Sequence, residues 1–176
     1  MIGDDYLSRF KKSGDNKMNA SQIKSKFILL LNQAGESNNF CCYYWDKGMR
    51  RTNNNINIIE LSGSLNCLIY FKVRSEKPYR WGITANRINE LKQSNIKWNL
   101  ILFYESPRTG FFITAEEVNH YLSIWPLGRD GDYKVAPGKC LQFNKPFNSF
   151  SEFLNFLISG YRWHFVAALS SYFKKI

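Results

Sequence analysis

No stretch of this 176-residue chain approaches the ~18 to 20 consecutive apolar residues that crossing a bilayer by helix requires, so no spanning segment is expected. Cysteine is sparse. Cys41, Cys42, Cys67 and Cys140 show no CxxC spacing, and three of them sit among apolar neighbours, where a free thiol behaves as a small hydrophobe. The opening MIGDDYLSRFKKSGDNK carries no hydrophobic signal region, and with the unpaired cysteines this leads us to expect a reduced, cytoplasmic protein. His120 and His164 stand apart from any Cys or acid at metal-ligand spacing, which argues against zinc. No GxSxG, Walker-type or dinucleotide-binding glycine pattern is present. Asp130-Gly131-Asp132 lacks the spacing and distal Glu of a calcium loop and reads as a turn. The scarce charge is the negative one: 14 acids face 24 bases, for a net charge of +10.

Such an excess favours polyanionic partners, nucleic acid first among them, and says nothing of fold. It is unevenly spread. Lys72, Arg74, Lys77, Arg80, Arg87, Lys92 and Lys97 fall within one stretch that holds only Glu76 and Glu90 as acids. Tyr79 and Trp81 interrupt the same stretch. Bases interleaved with aromatics suit phosphate contact combined with base stacking, and a Trp plugging the core beneath a loop is the plainer alternative for Trp81.

Apart from a polar arm over residues 1–20, one domain at 21–176 is expected, large enough to stabilise its own core. Ser21 reads as the cap of a helix with Ile23, Phe27, Leu30 and Leu31 on one face, ending near Gly35. Strands are expected at Phe40–Trp45, Asn55–Glu60, Asn66–Arg74, Trp98–Tyr104 and in FFIT. Thr84 is placed to cap a helix carrying Ile88 and Leu91, and Thr114-Ala115-Glu116-Glu117 and Ser149-Phe150-Ser151-Glu152 read as capping boxes. Residues 126–147 read as a long Gly/Pro-rich connection, and YRWHFVAALSSYF as a closing helix apolar nearly all round. The order argues for an α/β domain with a mixed sheet flanked by helices.

One strand carries the functional question. In LIYFKVRS, Lys72 interrupts an apolar run, and period-two alternation puts Leu68, Tyr70, Lys72 and Arg74 on one face. Asn55 and Asn57 share a face of the preceding strand. If the two strands pair through Ser62-Gly63-Ser64, the Asn57 face and the Tyr70/Lys72 face are expected to coincide in one polar patch. Lys72 has a bland reading as well, as a side chain that emerges at the sheet's end and covers apolar surface with its stem.

The run SQIKSKFILLLNQ, NFCCYYW, NINIIEL, LIYFKVRS, helix, WNLILFY resembles the restriction-endonuclease-like, or PD-(D/E)xK, superfamily over roughly Ser21 to Tyr104. In that family an Asp and an (Asp/Glu)-x-Lys on successive strands, often joined by an acid on the first helix, hold Mg²⁺ and orient the attacking water. Lys72 takes the motif lysine's place, Tyr70 stands where the acid two residues earlier would be, and Asn57 (or Asn55) stands at the Asp position. Near that acid's place, from Gln22 to Lys26, the helix offers Gln and Lys and no acid. The resemblance therefore implies a nucleic-acid-binding protein, with DNA the expected ligand, on a restriction-endonuclease-like core with a degenerate motif of Asn57, Glu60, Tyr70 and Lys72. The settings it implies are phage defence, counter-defence or mobile-element DNA processing. Its binding face would comprise Lys72, Arg74, Lys77, Arg80, Trp81 and Arg87. Two alternatives stand beside it. One is an active Mg²⁺-dependent endonuclease with Glu60 as the metal carboxylate, a residue that otherwise reads as half of a surface ion pair. The other is a non-enzymatic interaction or inhibitor subunit, with a protein partner or a second copy docked on residues 161–176.

Overall fold

The computed structural model describes residues 18–53, 55–140 and 145–160. It opens with helix α1 (Ala20–Asn38) and strands β1 (Phe40–Asp46), β2 (Met49–Arg51), β3 (Ile58–Gly63), β4 (Cys67–Arg74) and β5 (Trp81–Thr84). Helix α2 (Ala85–Gln93), β6 (Trp98–Tyr104), β7 (Gly110–Thr114) and α3 (Ala115–Tyr121) follow. Strand β8 (Asp132–Val135), a short α4 (Pro137–Cys140) and β9 (Lys145–Phe147) come next, and residues 150–160 are helical. The polar arm over 1–17 and the closing helix at 161–176 lie outside the described residues.

The fold is mixed α/β. A seven-stranded sheet runs in the order β2-β1-β3-β4-β6-β7-β9, and β5 pairs with β8 in a second, two-stranded sheet. Within the large sheet β4 and β6 are parallel and the other neighbours antiparallel. A parallel pair needs a crossover, and β5 with α2 supplies it. All seven residues of β6 are buried, as a run apolar on both faces demands.

Two cores follow from strand alternation. On one face Ile23, Phe27 and Leu31 of α1 and Phe153 and Leu157 of the 150–160 helix cover Ile59, Ile69, Phe71, Ile101 and Phe103. On the other, α2, α3 and the small sheet cover Ile58, Leu68, Tyr70, Leu100 and Leu102. The first core is built around Phe27, whose ring meets those of Phe71, Phe103, Phe150 and Phe153 at centroid distances of 5.4, 4.6, 6.5 and 5.5 Å. Among the described residues no helix is long and apolar enough to cross a membrane.

Several local expectations shift. Helix α1 is capped by Asn19, not Ser21, in a reciprocal box with Gln22, and it continues past Gly35 to Asn38. Gly35 is a packing residue: a Cβ there would lie 2.3 Å from the Phe40 carbonyl oxygen, so only glycine lets β1 start this close. The helix stops instead at Asn39, whose left-handed φ of 58° returns its N–H to Gly35. A strand, Trp81–Thr84, precedes α2, and the connection over 126–147 contains β8, α4 and β9. Thr84 takes the cap position of α2 without a side-chain cap bond, whereas Thr114 and Glu117 form the full box.

Phe27→Ala removes the ring at the centre of the first core and is expected to cost about 3–5 kcal/mol. The midpoint of urea unfolding at unchanged m-value measures it; a loss below about 1 kcal/mol would mean that the ring is not central to the packing.

Candidate nucleic-acid interface

Burial runs out along β4. Cys67 to Phe71 are buried, Lys72 and Val73 half-buried, and Arg74 exposed. Between that strand end and the first turns of α1 lies a cleft of about 560 Å³. Ala20, Ser21, Lys24, Ser25 and Ile28 line it from the helix, and Tyr44, Asn55, Asn57, Lys72 and Val73 from the strand side.

Lys24 is the residue that sequence reasoning did not place. It follows Ile23 on the flank of the apolar stripe, so its stem is packed and its ammonium half-buried. Its Nζ donates to Asn57 Oδ1 at 3.0 Å and lies 6.0 Å from the Tyr44 ring centroid and 5.8 Å from that of Phe71. Among the described residues no carboxylate pairs with it. Burial accordingly holds its pKa below the ordinary 10.5. Lys72 borders the same cleft, but alternation along β4 sends its side chain out on the Tyr70 face, and its Nζ lies 5.5 Å from the Tyr70 ring centroid. The signal available in the sequence was positional: Lys24, Ile28 and Leu31 fall at i, i+4, i+7, along the edge of the buried stripe.

The expected patch of Asn57, Tyr70 and Lys72 does not form as one face. Ile58 stands opposite Tyr70, so Tyr70 shares its face with Ile58, while Asn57 turns to the α1 side and meets Lys24. The Asn57 carbonyl still accepts from the Phe71 N–H at 2.9 Å, so the ribbon forms one register away from the expected one. Tyr70 is buried, and its hydroxyl accepts from the Thr84 N–H at 3.3 Å. Glu60 is opposite Leu68, on the far face, and its two oxygens accept from Arg50 at 2.8 and 3.2 Å. Asn57 and Lys72 both border the cleft, with side chains leaving opposite faces of the sheet; Glu60 and Tyr70 do not border it.

A Mg²⁺ ion, which the family resemblance implies, needs several oxygen ligands, with carboxylates foremost. The described residues lining the cleft include no Asp or Glu, and the Asn57 oxygen already accepts from an ammonium. These donors do not fit the ion. An ammonium, two amides, a phenol and two hydroxyls fit an anion instead.

The remaining basic residues divide. Arg74, Lys77 and Arg80 are exposed on and beside the loop that leaves β4, with Arg74 Nε donating to the Arg80 carbonyl at 2.6 Å. Trp81, expected to stack on a base, is only 2% exposed and donates from Nε1 to the Phe103 carbonyl at 3.0 Å; it belongs to the core. Tyr79 is buried beside it and donates to Glu105. Arg87 is held between Asp46 and Glu90, at 2.5 and 2.6 Å, and ties β1 to α2. Its charge is spent within the protein.

No protein-family model matches the chain, and no curated protein matches its sequence. The fold and the cleft define it as a three-layer mixed α/β protein with a cationic recess at one end of its sheet.

Because burial lowers the pKa of Lys24, the unfolded chain keeps a proton that the folded chain releases between the lowered value and 10.5. Stability from this group therefore rises with pH across that window, and its penalty is in full force at neutral pH. Lys24→Met is expected to raise Tm at pH 7, with the gap to the parent closing as pH approaches 10.5. Thermal melts at matched ionic strength test this. A variant less stable than the parent at pH 7 would show that the Lys24–Asn57 bond outweighs the burial cost.

Proposed function

We propose that the chain binds nucleic acid, DNA being the expected form, by holding a phosphodiester in the cleft between α1 and the end of β4, without metal-dependent cleavage. The observation that carries this reading is Lys24: a half-buried ammonium whose partner is a neutral amide, in a recess whose described lining holds no carboxylate. Such a cation is costly until an anion joins it, and a phosphate supplies both the charge and the acceptor oxygens. Arg74, Lys77 and Arg80 extend the positive field beyond the cleft mouth, where strands passing over the β4 end would meet them.

The order of elements supports a restriction-endonuclease-like core. A helix precedes three successively antiparallel strands (β1, β3, β4), and a helix-bearing crossover leads to β6, parallel to β4. This is the arrangement on which the resemblance rests. The motif's carboxylate positions carry an amide and a buried phenol and the helix offers no acid, while its lysine is kept as Lys72, which supports retention of the phosphate site with loss of the metal chemistry. A role in phage defence, counter-defence or mobile-element DNA processing is consistent with such a protein.

Binding to a labelled oligonucleotide should weaken steeply with salt, since each Lys or Arg bound to a phosphate releases counterions. Replacing Lys24 by Met should lower the slope of log K against log salt by roughly 0.7–0.9, the value for one phosphate no longer neutralised. Glu60→Gln should leave binding unchanged, and Mg²⁺ or Mn²⁺ should leave plasmid DNA uncut. Absence of binding at low salt would overturn the proposal; cleavage that disappears in Lys72→Ala would overturn its non-catalytic part.

A further inference from the structure

The cleft is a recess with both polar and apolar lining, which suits a whole nucleotide better than the outside of a duplex. About 560 Å³ is the scale of a small-molecule pocket, enough for a single nucleotide unit. Duplex DNA carries its phosphates on the outside of a stiff rod, which meets such a recess only at its rim, short of the half-buried Lys24. A strand with unpaired bases has the freedom to lower one nucleotide in. The lining has parts for all three portions of that unit. Lys24 provides charge, Asn55 and Asn57 provide amides, and Ile28 and the Tyr44 ring provide apolar surface.

Tyr44 has a second neighbour outside the cleft. In the β1–β2 ribbon it stands directly opposite Arg51, and residues so paired project from the same face. Arg51 is exposed at the sheet edge. Arg50, one residue earlier, turns to the other face and pairs with Glu60. The hairpin thus sets an aromatic ring at the cleft wall and a guanidinium one strand further out. That is the pattern of alternating base stacking and phosphate contact used for single strands.

We infer that the cleft takes one nucleotide of an unpaired strand, its base against Tyr44 and its phosphate on Lys24, with Arg51 holding a neighbouring phosphate. This rests on the nucleic-acid-binding reading above and names the form of ligand. The unit has a phosphate charge and an aromatic base, which a free nucleoside monophosphate also offers; length dependence separates the two.

Fluorescence anisotropy of the full chain tests it with a single-stranded 12-mer, the blunt duplex of the same sequence, and deoxyadenosine monophosphate as competitor. At one salt concentration the single strand should bind at least about tenfold more tightly than the duplex. Tyr44→Ala should weaken the single strand by roughly tenfold, within the range for loss of one base stack, and leave the duplex unchanged. Tyr44→Phe, which keeps the ring, should restore it. Arg51→Gln should lower the single-strand salt slope by about 0.7. The monophosphate should compete only at far higher concentration; competition at equal concentration would make the ligand a free nucleotide and overturn the strand assignment. Equal affinity for single strand and duplex, with Tyr44→Ala silent on both and its Tm unchanged, would overturn this inference and leave nucleic-acid binding standing. Failure of every probe to bind would remove both.

Discussion

Flanked by β3 and β6 and enclosed between two aromatic-rich cores, β4 offers no outlet for a charged side chain along its first five positions. The first charge it can tolerate is at Lys72, where cover from both layers ends. The cleft exists because that loss of cover coincides with the start of α1, whose first turns supply the opposite wall. The rigidity of the recess is then inherited from the layers behind it. Phe71 and Val73 flank Lys72, and Phe27, one turn along α1 from Lys24, is locked among four other rings. A site supported by a strand and a helix in this way holds its side chains more closely than one carried on loops.

Electrostatics then separates structural from available cations. Arg87 and Arg50 both meet carboxylates, and each joins elements of the fold, α2 to β1 in one case and β2 to β3 in the other. Pairs as exposed as Arg50 and Glu60 contribute little to stability, but they remove those charges from the pool that an anionic ligand can recruit. Lys24 differs. Its neutral partner leaves the charge uncompensated in a place where water is partly excluded, which costs stability in the free protein and strengthens any anion interaction made there. Natural proteins commonly keep such local costs at binding sites.

Much of the framework was legible in residue pattern. Phe40–Trp45, the Asn66–Arg74 run, Trp98–Tyr104, the helix carrying Ile88 and Leu91, and the Thr114 capping box all form where alternation, helical spacing or cap chemistry put them. These signals are local, and the tertiary structure had no reason to override them. The departures share a cause. Gly35 looked like a helix stop because glycine usually is one, but close approach of β1 uses it in mid-helix. Trp81 looked like a loop aromatic available to a base because bases surround it in sequence, whereas pairing with β8 turns it into the core. Neither a backbone approach nor a partner strand far along the chain leaves a mark in a local window.

For the site, composition and alternation already determined that the protein is basic, that its charge collects after the β4 run, and that Lys72 stands at the boundary between buried and exposed strand. Those are properties of residue type and of a period of two. Which groups share a recess was decided only by tertiary structure. A one-residue choice of register between β3 and β4 sent Asn57 toward α1 and Tyr70 into the opposite core, and the packing angle of a helix well before β3 in the chain brought Lys24 to meet that amide. Register and helix placement are set by the burial of whole faces. The sequence around either of these residues therefore cannot encode the meeting of Lys24 and Asn57.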